Sequence, residues 1–218
     1  MTDGASVVPA MPAMPAVRSE LILGGQKSGK SRRAETLACD WLAHSAVHKA
    51  VFIATAQPWD DEMRQRIARH QQDRAERLPG MHTVEEPLAV AQVLTRHSHP
   101  QTLVVVDCLT LWLTNVLMPH EQIVETAPKS ENPHYFDQKE ALVQHLHNST
   151  AMLLVAIKNA AGPVVLVGNE IGLGVIPMGR ETRAFVDALG RLNQAVAAAC
   201  ERVTFMAAGL PLTLKGQA

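Results

Sequence analysis

Beyond its first twenty residues the chain alternates short, continuously apolar runs with longer amphipathic or charged stretches. Residues 21–23 (LIL), 50–54 (AVFIA), 103–106 (LVVV) and Val164–Val167 are the apolar runs. They are too short for helices and too uniformly apolar to keep a solvent face, which predicts strands covered on both sides. Helices are expected over about 29–43, from Asp60 or Asp61 to Arg77, over Leu109–Leu117, about 137–159, and Arg180–Ala199. Pro87 is expected to open a further helix toward His97, since proline is pre-organised for a first helical position. Residues 81–84 predict a weaker strand. Residues 203–207 predict a last one, with 212–214 as its candidate partner. Regular alternation of this kind predicts a three-layer α/β fold with a mostly parallel sheet. No internal repeat or second domain breaks the pattern, so 20–218 is expected to be one catalytic domain.

Two segments stand apart. The opening stretch repeats PAMPAMPAV, with Asp3 early and prolines through its centre. A secretion signal needs a basic start and an unbroken apolar middle. Residues 1–19 are therefore expected to be a disordered leader, and the location cytoplasmic. Residues 119–133 are polar, carry three prolines, and are the least ordered-looking part of the body.

Composition narrows the function. The 218 residues carry 20 basic and 21 acidic side chains, for a formal net charge of -1. That balance argues against nucleic acid as a partner. No apolar run reaches the roughly 18 residues of a membrane span. The cysteines Cys39, Cys108 and Cys200 are too scattered for a disulfide scaffold or a closed zinc site, and read as small buried hydrophobes.

The strongest local signal is Gly24-Gly25-Gln26-Lys27-Ser28-Gly29-Lys30-Ser31, which satisfies GxxxxGK[ST] between an apolar run and a helix. Such a loop turns successive N–H groups toward a phosphate, and the positive end of the following helix adds to the attraction. Lys30 is expected to reach the outer phosphates of ATP or GTP, and the Ser31 hydroxyl to ligate Mg²⁺. The metal needs an acid on a neighbouring strand. Asp107, directly after the apolar run 103–106, supplies it; capping the helix that starts near Leu109 is a second, compatible role.

A charged helix offers further chemistry. Arg66, His70 and Arg74 recur every four residues and share one face, about 6 Å apart along the axis. Flanking arginines disfavour imidazolium, leaving a ring nitrogen for attack on a phosphorus electrophile, and they would gather nucleotide phosphates. The same spacing also suits a solvated face with a surface histidine, and composition does not choose between the two. The other nine histidines show no comparable setting and no metal-site spacing.

Taken together, GGQKSGKS, IATAQPWDDEMRQRIARHQQDR, VVVDCLTLWLTN and VLVGNEIGLGVIPMGRETRAFVDALGRLNQ resemble the bifunctional adenosylcobinamide kinase / adenosylcobinamide-phosphate guanylyltransferase family, over about residues 20–215. The resemblance implies a RecA-like P-loop NTPase fold and a homotrimer acting in cobalamin biosynthesis. It implies phosphorylation of the aminopropanol hydroxyl of adenosylcobinamide by a nucleoside triphosphate. Transfer of GMP from GTP to that phosphate would follow through a guanylylated histidine, giving adenosylcobinamide-GDP and pyrophosphate. By position, Lys30, Ser31 and Asp107 take the phosphate and metal roles and His70 the nucleophile's. Some relatives carry two adjacent histidines there; here Arg69 precedes His70, leaving a single candidate. Glu170, in the block after the run Val164–Val167, is expected to contact metal, guanosine or corrinoid. Against this stand a P-loop small-molecule kinase without guanylyl transfer, a RecA-like ATPase, and a GTP-binding switch.

Overall fold

A computed structural model describes residues 17–118 and 135–216, with 135–139 given as helical backbone. Residues 1–16 of the expected leader and all of the proline-rich stretch 119–133 lie outside the described residues. The leader's expected end at residue 19 is corrected, since Arg18 donates to Ala160 O and Ser19 opens the first strand, paired in the sheet. In chain order the elements are β1 (Ser19–Gly24), α1 (Lys30–His44), β2 (Lys49–Ala54), α2 (Asp61–Arg77), β3 (His82–Glu85), α3 (Val90–His97) and β4 (Thr102–Asp107). They continue as α4 (Leu109–Leu117), α5 (Tyr135–Lys158), β5 (Val164–Val167), α6 (Arg180–Ala199), β6 (Arg202–Ala207) and β7 (Leu210–Lys215).

The strands form one seven-stranded sheet in the order β3-β2-β4-β5-β1-β6-β7. The first six run parallel and β7 closes one edge antiparallel to β6. Alternate residues of each apolar run point to opposite faces, and both faces are covered. Leu21, Leu23, Val104, Val106 and Leu166 pack on one side with Leu109 and Leu113 of α4, Leu153 of α5 and Leu192 of α6. Ile22, Phe52, Val105 and Val167 pack on the other with Ala34 and Ala38 of α1 and with Leu78 beyond α2. This double coverage is why the runs carry no polar alternation. The result is an α/β fold with a mostly parallel central sheet and helices on both faces.

Two boundaries differ from expectation. No helix opens at Pro87; α3 starts at Val90. Glu86 Oε1 accepts the N–H groups of Leu88 and Ala89 at 2.9 and 2.7 Å. The carbonyls of Pro87 and Leu88 are taken by Asn115 Nδ2 and Trp112 Nε1 of α4. Tertiary partners thus satisfy the backbone that a helical turn would otherwise use. The last strand is also longer than expected. Ala208 (φ 52°) and Gly209 (φ 79°) form a two-residue turn with both residues left-handed, which suits a tight hairpin and lengthens the pairing.

Candidate active site

The glycine-rich segment bridges β1 and α1 at the carboxyl end of the parallel strands, the end at which open α/β sheets bind ligands. Its backbone demands glycine at two points. Gly24 lies at φ 154°, where an added Cβ would collide with the Met206 carbonyl, and Gly29 lies at φ 100°, 3.2 Å from Gly209 Cα once a Cβ is added. The β6–β7 turn also braces the loop, since the Gly209 N–H donates to Ser28 O at 3.0 Å. Gln26 and Lys27 are exposed at the rim, whereas Ser28 and Lys30 are buried. The buried Ser28 Oγ has no hydrogen-bond partner among the described residues, as befits a loop shaped around a polar guest.

Lys30 Nζ donates to Gly25 O at 2.6 Å across its own loop. Its pKa is held below the usual lysine value chiefly by burial; Asp107 opposes the shift and Arg66 adds to it. Ser31 Oγ donates to Asp107 Oδ2 at 2.7 Å. The hydroxyl that opens α1 and the carboxylate that ends β4 therefore meet although 76 positions apart in the chain. A hydroxyl beside a carboxylate is a hard oxygen donor set that fits Mg²⁺. Among the described residues, no group of three or more His, Cys, Asp or Glu side chains is placed to hold a metal ion.

The position of Asp107 is set by residues that motif reading passed over. Thr55, fully buried just past β2, donates its hydroxyl to Cys108 O at 2.7 Å and accepts the Cys108 N–H at 2.8 Å. Asn115 of α4 donates to the Thr55 carbonyl at 2.7 Å. The ends of β2 and β4 are thus laced together directly behind Asp107. The only available sequence signal was a threonine ending an apolar run. Cys108 accepts the Leu111 N–H at the start of α4, and burial, with Asp107 beside it, pushes its thiol up to about 12. Buried and bonded to the first turn of α4, the thiol serves as a structural cap.

Replacing Thr55 by valine keeps the shape and removes both bonds to Cys108. Each orphaned buried backbone group costs about 1–3 kcal/mol. The expected result is a midpoint lowered by several degrees in thermal unfolding, with serine at this position restoring most of the loss.

Helix α2 is capped as expected, with the Met63 N–H donating to Asp60 Oδ1 at 2.7 Å. Its shared face, however, divides. Arg66 and His70 are exposed, while Arg74 is buried with its guanidinium 3.5 Å from the Phe52 ring centroid. Burial lowers the Arg74 pKa, and Asp107 and Glu35 oppose that shift. Arg66 interacts electrostatically with Lys30, and Arg74 with Asp107, so this stretch of α2 borders the cradle.

Glu170 follows β5 on the other flank. Its N–H donates to Gly24 O at 3.1 Å, and its Oε1 accepts the Gly172 N–H at 2.7 Å. Buried Asn193 of α6 donates to Asn169 O at 3.1 Å and reaches Glu170 Oε2 at 3.5 Å. The Asn169 N–H donates to Thr110 Oγ1. Thr110 and Asn193 are thus fasteners of the post-β5 loop.

Parallel strands leading into a glycine-lined, cation-bearing cradle, with a hydroxyl–carboxylate pair beside it, make this the candidate active site of an α/β protein. Sequence comparison makes the assignment specific: the chain belongs to the cobinamide kinase / cobinamide phosphate guanyltransferase family, whose profile matches residues 20–214. It is 44% identical over 199 residues to the bifunctional adenosylcobalamin biosynthesis protein CobP of Pseudomonas aeruginosa, covering 91% of this chain and 98% of that protein. It is 33% identical to the bifunctional adenosylcobalamin biosynthesis proteins CobU of Escherichia coli and Salmonella typhimurium, covering 89% of this chain and 98% of each relative. The chain is a bifunctional kinase and guanylyltransferase of cobalamin biosynthesis.

Proposed function

We propose that residues 20–218 form one RecA-like P-loop catalytic domain that phosphorylates adenosylcobinamide and then guanylylates the product from GTP. The observation that carries the reading is the Ser31–Asp107 contact at 2.7 Å beside buried Lys30. It joins the motif's hydroxyl to a strand-end acid, the pairing a magnesium–nucleotide site requires.

In the kinase step the phosphates of ATP or GTP lie along the amides of 25–31. Lys30 turns from Gly25 O onto the outer phosphates, where its charge is compensated by the phosphoryl oxygens. Ser31 and Asp107 would hold Mg²⁺, which supplies positive charge over those oxygens when bound. The aminopropanol hydroxyl attacks the γ-phosphorus as the β–γ bridging bond breaks. In the transfer step His70 takes the guanylyl group from the α-phosphorus, and Arg66, exposed near Lys30, steadies the phosphates. Arg74 serves from beneath, clamping α2 on Phe52 while its charge faces Asp107. Glu170, fastened at the Gly24 edge, faces the acceptor side.

The family resemblance supports a homotrimer. No helix among the described residues is long and apolar enough to cross a membrane, and we place the activity in the cytoplasm. Incubation of the protein with adenosylcobinamide, ATP and GTP, followed by product masses, is expected to give the phosphate first and adenosylcobinamide-GDP next. A phosphate that never gains the guanylyl group would leave a small-molecule kinase alone.

A further inference from the structure

The loop between Glu170 and α6 carries an uncharged run, Ile171-Gly172-Leu173-Gly174-Val175-Ile176-Pro177-Met178, that the fold does not bury. Leu173 is 78% exposed, Ile176 77%, Met178 95% and Val175 96%. Both ends of the loop are nevertheless held. At one end the Glu170 N–H donates to Gly24 O and Asn193 reaches the Glu170 carboxylate. At the other, Arg183 Nη1 donates to the carbonyls of Pro177 and Met178 at 2.9 and 2.5 Å. A fastened loop that presents its aliphatic side chains to water is a preformed surface for an apolar guest.

We propose that the face formed by Leu173, Val175, Ile176 and Met178 holds the corrin ring of adenosylcobinamide. This rests on the functional reading above, and three observations single out that guest. The platform is continuous with the cradle, because its root at Glu170 is hydrogen-bonded to the first cradle glycine. A macrocycle lying on it extends from the edge over which its aminopropanol arm must reach. The run has no charged residue from 171 to 178, whereas the cations Lys27, Lys30 and Arg66 lie on the cradle and on α2. A nucleotide phosphate is therefore drawn to the cradle, and a broad ring fringed by neutral amides to the platform. Finally, the size and aliphatic character of the run suit the flat faces of a corrin.

The test is the double variant Val175→Ser/Met178→Ser in the full chain. Both side chains are almost wholly exposed, so the fold has little to lose. Equilibrium dialysis with adenosylcobinamide, kinase kinetics with adenosylcobinamide varied, self-labelling by labelled GTP, and size-exclusion chromatography are read together. Corrinoid affinity is expected to weaken about tenfold or more, with KM rising in parallel. Covalent labelling by GTP and the native mass are expected to be unchanged. Unaltered corrinoid affinity in a variant of an enzyme that turns over overturns the platform alone. A variant that falls apart into smaller assemblies also overturns it, assigning the run to contact between copies of the chain. If the unmodified protein neither binds nor converts adenosylcobinamide, the functional reading fails and the platform with it.

Discussion

Lys30→Met is expected to cut kinase turnover by roughly a thousandfold or more, while leaving the nucleotide-free protein at least as stable as the parent. Removing one preorganised donor from a developing anion costs about 10²–10³ in rate. A full charge aimed at the transferring group adds to that, since charge-assisted bonds are about twice as strong as neutral ones. The stability side follows from the environment of the ammonium. Burial is the largest influence on Lys30 and lowers its pKa below the unfolded value near 10.5, despite Asp107. Between the two values the unfolded chain binds more protons, so stability rises with pH through that window; below it the cost of the buried cation is fully present. Methionine fills a similar volume without the charge and removes this slope. Thermal unfolding at neutral and alkaline pH, with and without nucleotide, checks both halves. The nucleotide-induced rise in midpoint, expected from mass action in the parent, should vanish in the variant. A variant that still phosphorylates adenosylcobinamide at the parental rate would remove Lys30 from the chemistry.

Legibility in the sequence followed the range of the interactions involved. Leu109–Leu117, Val164–Val167 and Arg180–Ala199 lie where periodicity places them, because their boundaries are set by local apolar patterning and by burial on both sheet faces. The start of α3 did not obey Pro87, because Glu86 and two α4 side chains claim that backbone. No local window contains those partners. The β6–β7 hairpin was under-read for a related reason. All six residues of β7 are exposed, so the burial that marks the central strands is missing, and its length follows from the Ala208–Gly209 turn.

The same distinction runs through the site. The cradle is eight consecutive residues, and Asp107 directly follows an apolar run, so both were visible in one dimension. Thr55 was not, because its importance lies in bonds to Cys108 across 53 positions. Spacing brought Arg66, His70 and Arg74 to one side of α2 but could not show that the side splits. Four residues advance a helix by about 40° beyond a full turn, so 66 and 74 differ by about 80°. That is enough for one arginine to remain in water while the other stacks on Phe52. The division leaves His70 between an exposed and a buried arginine, each electrostatically linked to a different member of the cradle.

That placement leads to the second large effect. His70→Ala is expected to abolish guanylyl transfer, by roughly 10⁴-fold or more, while the phosphorylation of adenosylcobinamide continues within a few-fold of the parental rate. In the proposed step an imidazole nitrogen attacks the α-phosphorus of GTP, an N–P bond forms, and the P–O bond to pyrophosphate breaks. A phosphate oxygen of adenosylcobinamide phosphate then attacks the same phosphorus, and the N–P bond breaks to return free histidine. The side chain suits this task because it is exposed on α2 and makes no hydrogen bond or ion pair with the described residues. In the proposed kinase step the acceptor hydroxyl attacks the γ-phosphorus with the help of Lys30, Ser31 and Asp107, none of which is hydrogen-bonded to His70 among the described residues, so the two activities should separate cleanly. GTP labelled at the α-phosphorus should leave an acid-labile, base-stable adduct on the parent and none on the variant, with adenosylcobinamide phosphate accumulating as the final product. Retention of the adduct by His70→Ala would move the nucleophile elsewhere. Loss of both activities together would mean that α2 acts through the shape of the cradle and not through its imidazole.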